Sequence, residues 1–429
     1  MNSASGRIQH EANSLITNQN EQLVIDIETM LETSDECRLY RVPYHLRKWN
    51  AEAYTPHAIS VGPYHHNKEK FQKMEKHKVR YFKSFMQRDE NEINLKNLET
   101  TIRKMEDIIR HCYVDTVQLE RDDFVKMIMF DATFILELFL KYKLEEWTKD
   151  DPMILEPWLD SMVMRELLLL ENQLPFFVIK KIYHLAIPSY SNLDSLSLIQ
   201  LTFHYFEHWN IHKKAPEGEI KHFTDLLRFF ALPPHNNLPQ RNPEEVFPKY
   251  SATQLREAGV KFEVVPNKCV LDLSFKEGVL EFPLLEFVDF TEARVRNIMA
   301  LEQCYDTKDR YITDFYIILD YLIDTTKDVD LLVEKGIIVN SLGDSNAVAF
   351  MINNLNKGIF GINTNSDLCR LCEELNAFCE KPWHRWKALL KHQYFSTPWR
   401  VASTIAAIIL LVLTLIQTVC SIIQIVPIV

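Results

Sequence analysis

The chain has 429 residues, 47% hydrophobic and 25% charged, ordinary figures that allow a large core without disulfides. A formal net charge of −11, with no concentrated basic run ahead of the tail, excludes a nucleic-acid partner, because phosphate binding needs a dense positive surface. Nine glycines, about 2% of the chain against an average near 7%, never cluster, so there is no P-loop, G-x-G-x-x-G or G-x-S-x-G elbow, and H-E-x-x-H is absent too.

Residues 1–36 are polar except for one amphipathic stretch at 23–31, which predicts a flexible arm ending in one helix. Residues 1–20 hold no apolar run of the signal-peptide kind. Pro43, Pro56 and Pro63 then interrupt a compact segment too often for long helices. Over 68–88, Phe71, Met74, Tyr81, Phe82 and Phe85 form one stripe among lysines. Over 92–112, Leu95, Leu98, Ile102, Met105, Ile109 and Cys112 recur at 3-4-3-4-3 spacing, a narrow seam suited to one neighbouring helix. Residues 119–143 and 160–186 are more apolar and read as central helices, the second kinked at Leu174-Pro175. Helices near 193–210 and 219–231 complete this half.

Pro233, Pro234, Pro239, Pro243 and Pro248 mark 232–250 as a surface loop or linker. Ser251-x-x-Gln254 is a capping box and Gly259 the stop of a short helix. Strand character at 261–264, 270–275 and 279–282 predicts a small β-meander over 260–282. Helices resume near 290–305, 311–325, 344–357 and 365–394. No charged residue follows Arg400, and 401–424 is long enough to cross a bilayer core of about 30 Å. Trp399 and Arg400 stand at the expected membrane boundary. Lys381, Arg385, Lys387, Lys391 and Arg400 all precede the span, which by the positive-inside rule places the bulk of the chain in the cytosol. Interleaved with Trp383 and Trp386, they also suit an anionic leaflet. Eight scattered cysteines, and no Asn followed by x-Ser or x-Thr, agree with that side. The expected fold class is mainly α: an arm over 1–36, a helical domain over 37–395 with its small β-meander, and one transmembrane helix over 398–426.

Several strings occur together and in order: Tyr40-Arg41-Val42-Pro43, Ala53-Tyr54-x-Pro56, Ile59-Ser60-Val61-Gly62-Pro63-Tyr64-His65-His66, and Leu167-Leu168-Leu169-Leu170-Glu171-Asn172-Gln173-Leu174-Pro175-Phe176-Phe177. Ala252-Thr253-x-Leu255-x-Glu257-Ala258-Gly259-Val260-Lys261-Phe262, Glu302-Gln303-Cys304 and Tyr394-Phe395-x-x-Pro398-Trp399 follow. In these the chain resembles the plant family called domain of unknown function 247, from about Cys37 to its C-terminus. The resemblance implies a C-terminal membrane helix and, from grass members tied to pollen-side recognition in self-incompatibility, a recognition role. It brings no catalytic residues to transfer.

Glu171, Asn172 and Gln173 interrupt an apolar run, and Asp131 falls on the buried stripe of its helix, so each carboxylate needs a partner. Arg41, between the prolines, is the expected counter-ion. Together, Arg41, Asp131, Glu171, Asn172 and Gln173 are expected to form a structural network pinning the proline-rich segment to the central helices. His45, His57, His65, His66 and His77 lack metal-ligand spacing. Cys369, Cys372 and Cys379 with His384 carry zinc-type ligands but fall on one helical face with Leu368, Leu371 and Leu375. No catalytic, cofactor or metal residue is assigned. The function expected is a membrane-tethered, non-catalytic interaction protein. Its partners would be membrane lipid, through the C-terminal helix in a plasma membrane or endomembrane, and an unidentified protein meeting the 213–219 and 232–250 loops. The alternative is a membrane-bound hydrolase or transferase using the buried carboxylates and a histidine, which requires Asp131, Glu171 and a His to share one solvent-open pocket.

Overall fold

The computed structural model describes residues 37–88, 95–186, 196–215, 219–233, 238–242, 244, 246–266, 269–305, 310–360, 364–381 and 398–425. The arm expected over 1–36, with its helix at 23–31, and the basic, Trp-bearing stretch 382–397 lie outside the described residues. The protein is mainly helical, with three small sheets among the described residues. It divides into two compact units. The first takes the chain up to Leu238 together with Val288–Thr313 and Asn354–Gly361; the second takes Pro239–Phe287, Asp314–Asn353 and the chain from Ile362 onward.

The first unit is built on the helix Arg121–Leu144, which is apolar around almost its whole circumference and buries Phe124, Ile128, Phe134, Ile135, Leu138 and Phe139. Such a helix must be surrounded. Gln72–Met86, Leu95–His111, Phe176–Ala186 and Leu198–Tyr205 pack against it. Leu95–His111 buries the expected seam through Leu98, Ile102, Met105 and Ile109. Glu145, in the left-handed region at φ 56°, ends the central helix. Phe139 then anchors an aromatic cluster with Tyr205, Phe206 and Phe223.

The single kinked helix expected over 160–186 is two helices, Pro157–Glu166 and Phe176–Ala186, with an irregular segment between them. Side chains replace the missing helical turn. Gln173 Nε2 donates to the carbonyls of Leu167 (2.6 Å) and Leu169 (2.7 Å), and Asn172 Nδ2 donates to that of Glu166 (3.0 Å). Those carbonyls would otherwise be orphans of a helix end. Pro175 offers no N–H and disfavours helical geometry at Leu174.

In the second unit, Ser251 and Gln254 form the capping box of Ala252–Ala258, and Gly259 closes it at φ 108°. The strands near 260–282 do not run in meander order. Val279–Phe282 is central, parallel to Lys261–Val264 and antiparallel to Ser274–Lys276. Glu277 (φ 50°) and Gly278 (φ 82°) make the two-residue hairpin, a turn with positive φ at both positions that suits the natural strand twist. The tight hairpin claims one edge of the central strand, so Lys261–Val264 takes the other. A helix that periodicity did not announce, Thr326–Glu334, starts at the capping box Thr325-x-x-Asp328. Ile338–Asn340 pairs in parallel with Leu285–Phe287. The last expected helix is Ser366–Glu380 over its described part. Pro398–Ile425 is one continuous helix, and Ala402–Ser421 within it is long and apolar enough to cross a membrane, with none of that window buried.

Asp328 serves two helices. Its carboxylate accepts from the N–H and hydroxyl of Thr325 (both 2.9 Å) and from the N–H of Thr253 (2.8 Å) in the first turn of Ala252–Ala258. Burial alone would raise its pKa, but these donors outweigh burial and hold it below the ordinary range. Asp328→Ala should therefore cost about 2–4 kcal/mol, more than a single cap, read as a lowered urea midpoint of the detergent-solubilised chain.

Candidate functional site

Between Pro56 and Pro63 the chain runs through the interior of the first unit without forming a helix: Ile59, Ser60 and Val61 are buried. Buried backbone N–H and C=O groups must be hydrogen-bonded. No strand lies beside this segment among the described residues, so side chains do it. The Glu166 carboxylate accepts from the N–H groups of His57 (2.6 Å), Ala58 (2.9 Å) and Ile59 (2.8 Å). Asn172 Oδ1 accepts from Val61 N–H (2.6 Å), and Asn172 Nδ2 donates to the Ile59 carbonyl (3.1 Å). Asp131 Oδ2 accepts from Gly62 N–H (2.8 Å). Lys78 donates to the Ser60 carbonyl, to Asp131 (2.7 Å) and to Glu75. Gly62 sits at φ 73°, where a Cβ would lie 2.5 Å from the Gln173 carbonyl oxygen, so both conformation and space require glycine.

A second anchor holds the preceding segment. Buried Glu171 accepts from Val42 N–H (2.8 Å) and from His65 Nε2 (3.0 Å), and pairs with Arg47 Nη1 at 2.8 Å. Lys68 Nζ lies 2.7 Å from the other ring nitrogen of His65. Asn297 ties the leucine-rich break to the same region, accepting from Leu170 N–H (2.8 Å) and donating to the Ala53 carbonyl (2.7 Å). Gln173 Oε1 accepts from Phe223 N–H (2.8 Å). Glu302 pairs with Arg228 and accepts from the N–H groups of Ile312 and Thr313, capping the start of Tyr311–Leu322.

Asp131, Glu171, Asn172 and Gln173 thus all fasten the N-terminal segment or the turn that faces it. Arg41 does not join them: it pairs with Asp115 at 3.0 Å, and both are half-exposed. Its neighbour Val42 makes the contact with Glu171 through its backbone, while the counter-ion of Asp131 is Lys78 and that of Glu171 is Arg47, with His65 hydrogen-bonded beside it. Lys78 and Glu166 had a sequence signal. Met74, Lys78, Tyr81 and Phe85 recur at 4-3-4 spacing, and Leu159, Val163 and Glu166 at 4-3, so both ionisable groups occupy apolar stripes. The helix Pro398–Ile425 begins just before Trp399 and Arg400, whose side chains lie outside the described ones.

The electrostatics follow from burial. Burial raises the Asp131 carboxyl to about 6 against the pull of Lys78. For Glu171 burial acts in the same direction, but His65, Arg47 and Val42 N–H outweigh it and hold the carboxyl below its ordinary value. Burial would lower Lys78, yet Asp131 and Glu75 win and raise it. Asp131, Glu171 and His65 are each no more than 1% exposed. Their oxygens and nitrogens are occupied by other groups of the protein. A cleft of about 270 Å³ does open nearby, lined by Ala53, His57, Arg165, Phe290 and Glu292 among others, but not by Asp131, Glu171 or His65.

The remaining histidines diverge: His45 packs on the Phe360 ring and His57 pairs with Glu52. Cys369, Cys372 and Cys379 are buried along Ser366–Glu380, where burial pushes the thiols of Cys372 and Cys379 up to about 12 and about 11. His384 lies outside the described residues, and among those described no three His, Cys, Asp or Glu converge as metal ligands.

The family model of a plant protein of unknown function, domain of unknown function 247, matches residues 39–413. The chain belongs to this family. It is similar to the UPF0481 protein At3g47200 of Arabidopsis thaliana, 29% identical over 90% of this chain and 86% of that protein. It is also similar to the putative UPF0481 protein At3g02645 of the same plant, 22% identical over 88% and 89% of the two chains. No solved structure matches. Four of the strings that carry the resemblance, at 40–43, 53–56, 59–66 and 167–177, meet in this network, while its members Lys78, Asp131, Glu166 and Asn297 lie outside the strings.

Lys78→Met should destabilise the detergent-solubilised chain by about 3–5 kcal/mol, because Asp131 is left buried without its cation. Adding Asp131→Asn, which keeps an acceptor for Gly62, should restore about 1–3 kcal/mol of that loss in urea denaturation.

Proposed function

We propose that the protein is a membrane-tethered, non-catalytic interaction protein, anchored by its C-terminal helix with the remainder on the cytosolic side of a plant plasma membrane or endomembrane. The carrying observation is Ala402–Ser421, long and apolar enough to span a bilayer and unburied. A surface of that kind is costly in water and favourable in lipid. The hydroxyls of Thr414, Thr418 and Ser421 donate to carbonyls one turn back, which suits a low-dielectric surrounding. The orientation rests on the cations at Lys381, Arg385, Lys387, Lys391 and Arg400, all ahead of the span.

The non-catalytic part of the proposal is supported by the burial of Asp131, Glu171 and His65, which a hydrolase or transferase of the alternative kind would need to present to substrate. For partner contact the loops remain the proposal. In the 213–219 loop, Lys214 is turned onto the carbonyls of Phe229 and Leu232. In the 232–250 loop, Arg241–Asn242 pairs with Thr364–Asn365. The 232–250 loop is held at further points, Glu244 by Cys369 and Phe247 and Lys249 by Asn376. Lys214 also bonds Asn210 through its backbone, so part of the ordering cost of presenting these loops to a partner is already met. A recognition role like that of the self-incompatibility members of the family is proposed by analogy.

Proximity labelling in plant cells should compare the intact chain with one ending at Thr397. The intact chain should sediment with membranes and label a set of proteins that the shortened chain, recovered in the soluble fraction, does not. Equal partner sets with both chains soluble would contradict the tether.

A further inference from the structure

One end of the buried network reaches the surface. Glu171 and His65 are sealed, but Lys68 is exposed and its amine is held 2.7 Å from His65 Nδ1. The hydrogen-bond roles are fixed by elimination. An ammonium can only donate, so Nδ1 must accept, and the ring proton then sits on Nε2, donating to Glu171 Oε2 at 3.0 Å. This is a nucleophile on a base that is itself oriented by a carboxylate. Asn67, between His65 and Lys68, takes the left-handed region at φ 61°, uncommon for a non-glycine residue. The surroundings are cationic. Partial burial lowers the Lys68 pKa, and Lys70, Arg47 and Arg41 push in the same direction against the opposing charge of Glu171.

We propose that Lys68 is a reactive amine that forms a covalent imine with small anionic aldehydes or ketones, assisted by the buried His65–Glu171 pair. The ammonium passes one proton to His65 Nδ1; burial disfavours the imidazolium so formed and Glu171 offsets part of that cost, so it is a transient species rather than a resting one. The free amine adds to the carbonyl carbon, and the carbonyl π pair moves to oxygen, which takes one proton from the new ammonium nitrogen to give a carbinolamine. His65 returns its proton to the hydroxyl, which leaves as water while the nitrogen lone pair closes the C=N bond. An ammonium and a carbonyl have become a protonated imine and water, with no oxidant or reductant consumed. Arg41 and Arg47 are already paired with Asp115 and Glu171, so a carbonyl compound that carries phosphate or carboxylate would be favoured by the exposed Lys68 and Lys70 amines. The site is independent of the membrane reading.

The test uses the full-length, detergent-solubilised protein, pyridoxal 5′-phosphate as the anionic aldehyde, brief borohydride reduction and peptide mapping. Lys48 and Lys70 serve as internal references: Lys48 lies over the Trp49 ring and Lys70 donates to the Pro56 carbonyl, neither against an imidazole. Lys68 should label roughly tenfold faster than either, a modest fraction of what a positioned base can supply. Pyridoxal, which lacks the phosphate, should lose most of that preference while labelling Lys48 about as before. Lys68→Arg should remove the fast-labelling peptide without changing Lys48. Labelling of Lys68 no faster than Lys48 and Lys70 would overturn the proposal, and equal preference with both aldehydes would overturn its anionic class. Neither comparison requires altering His65 or Glu171, whose loss would disturb the fold.

Discussion

Buried backbone that is not helical, inside a bundle of helices, has no adjacent turn and no neighbouring strand to satisfy it. Residues 59–62 are in that position, with Ala58 half-buried beside them, and each unmet N–H or C=O would cost about 1–3 kcal/mol, comparable in sum to the whole stability of a domain. Four side chains from three helices and the break after Glu166 meet the demand: Glu166, Asn172, Asp131 and Lys78. Much else follows. Asn172 and Gln173 can turn back only if the helix stops at Glu166, which is why the leucine-rich run is irregular despite its composition. Gly62 must be glycine because the Gln173 carbonyl occupies the space of its Cβ. The carboxylates must be ionised acceptors, so cations are drawn in beside them, Lys78 to Asp131 and Arg47 to Glu171.

How much of this could be seen in advance depends on range. The helices of the first unit follow from periodicity, because the stripe of 95–111 and the apolar girth of 121–144 are local properties. The cost of Glu171 and Asp131 in apolar surroundings is local as well. Their partners are not. Arg41 stands one residue from the backbone group that Glu171 holds, and the distinction between Arg41 and Arg47 is set only by the turn at Tyr44–Arg47. Lys78 was hidden among surface lysines, although its 4-3-4 spacing with Met74, Tyr81 and Phe85 marked it. The strand order around 279–282 depends on which edge the Glu277-Gly278 hairpin occupies, a choice that alternation alone does not make.

The same constraint shapes what the molecule can do. Its conspicuous polar residues Glu166, Glu171 and Asn172 are turned inward on backbone. Lys68 is where that interior chemistry touches solvent, and its unusual environment is a by-product of the anchoring of Val42 by Glu171. The Pro398–Ile425 helix is the other distinctive element, with Ala402–Ser421 long and apolar enough to cross a membrane.

Amide hydrogen exchange at residues 57–62 tests the central claim most directly. If side chains hold this segment as firmly as a helix holds its own backbone, the amides of Ile59, Val61 and Gly62 exchange only through global opening, as slowly as those of Arg121–Leu144. Exchange at loop rates while that helix stays protected would contradict the account.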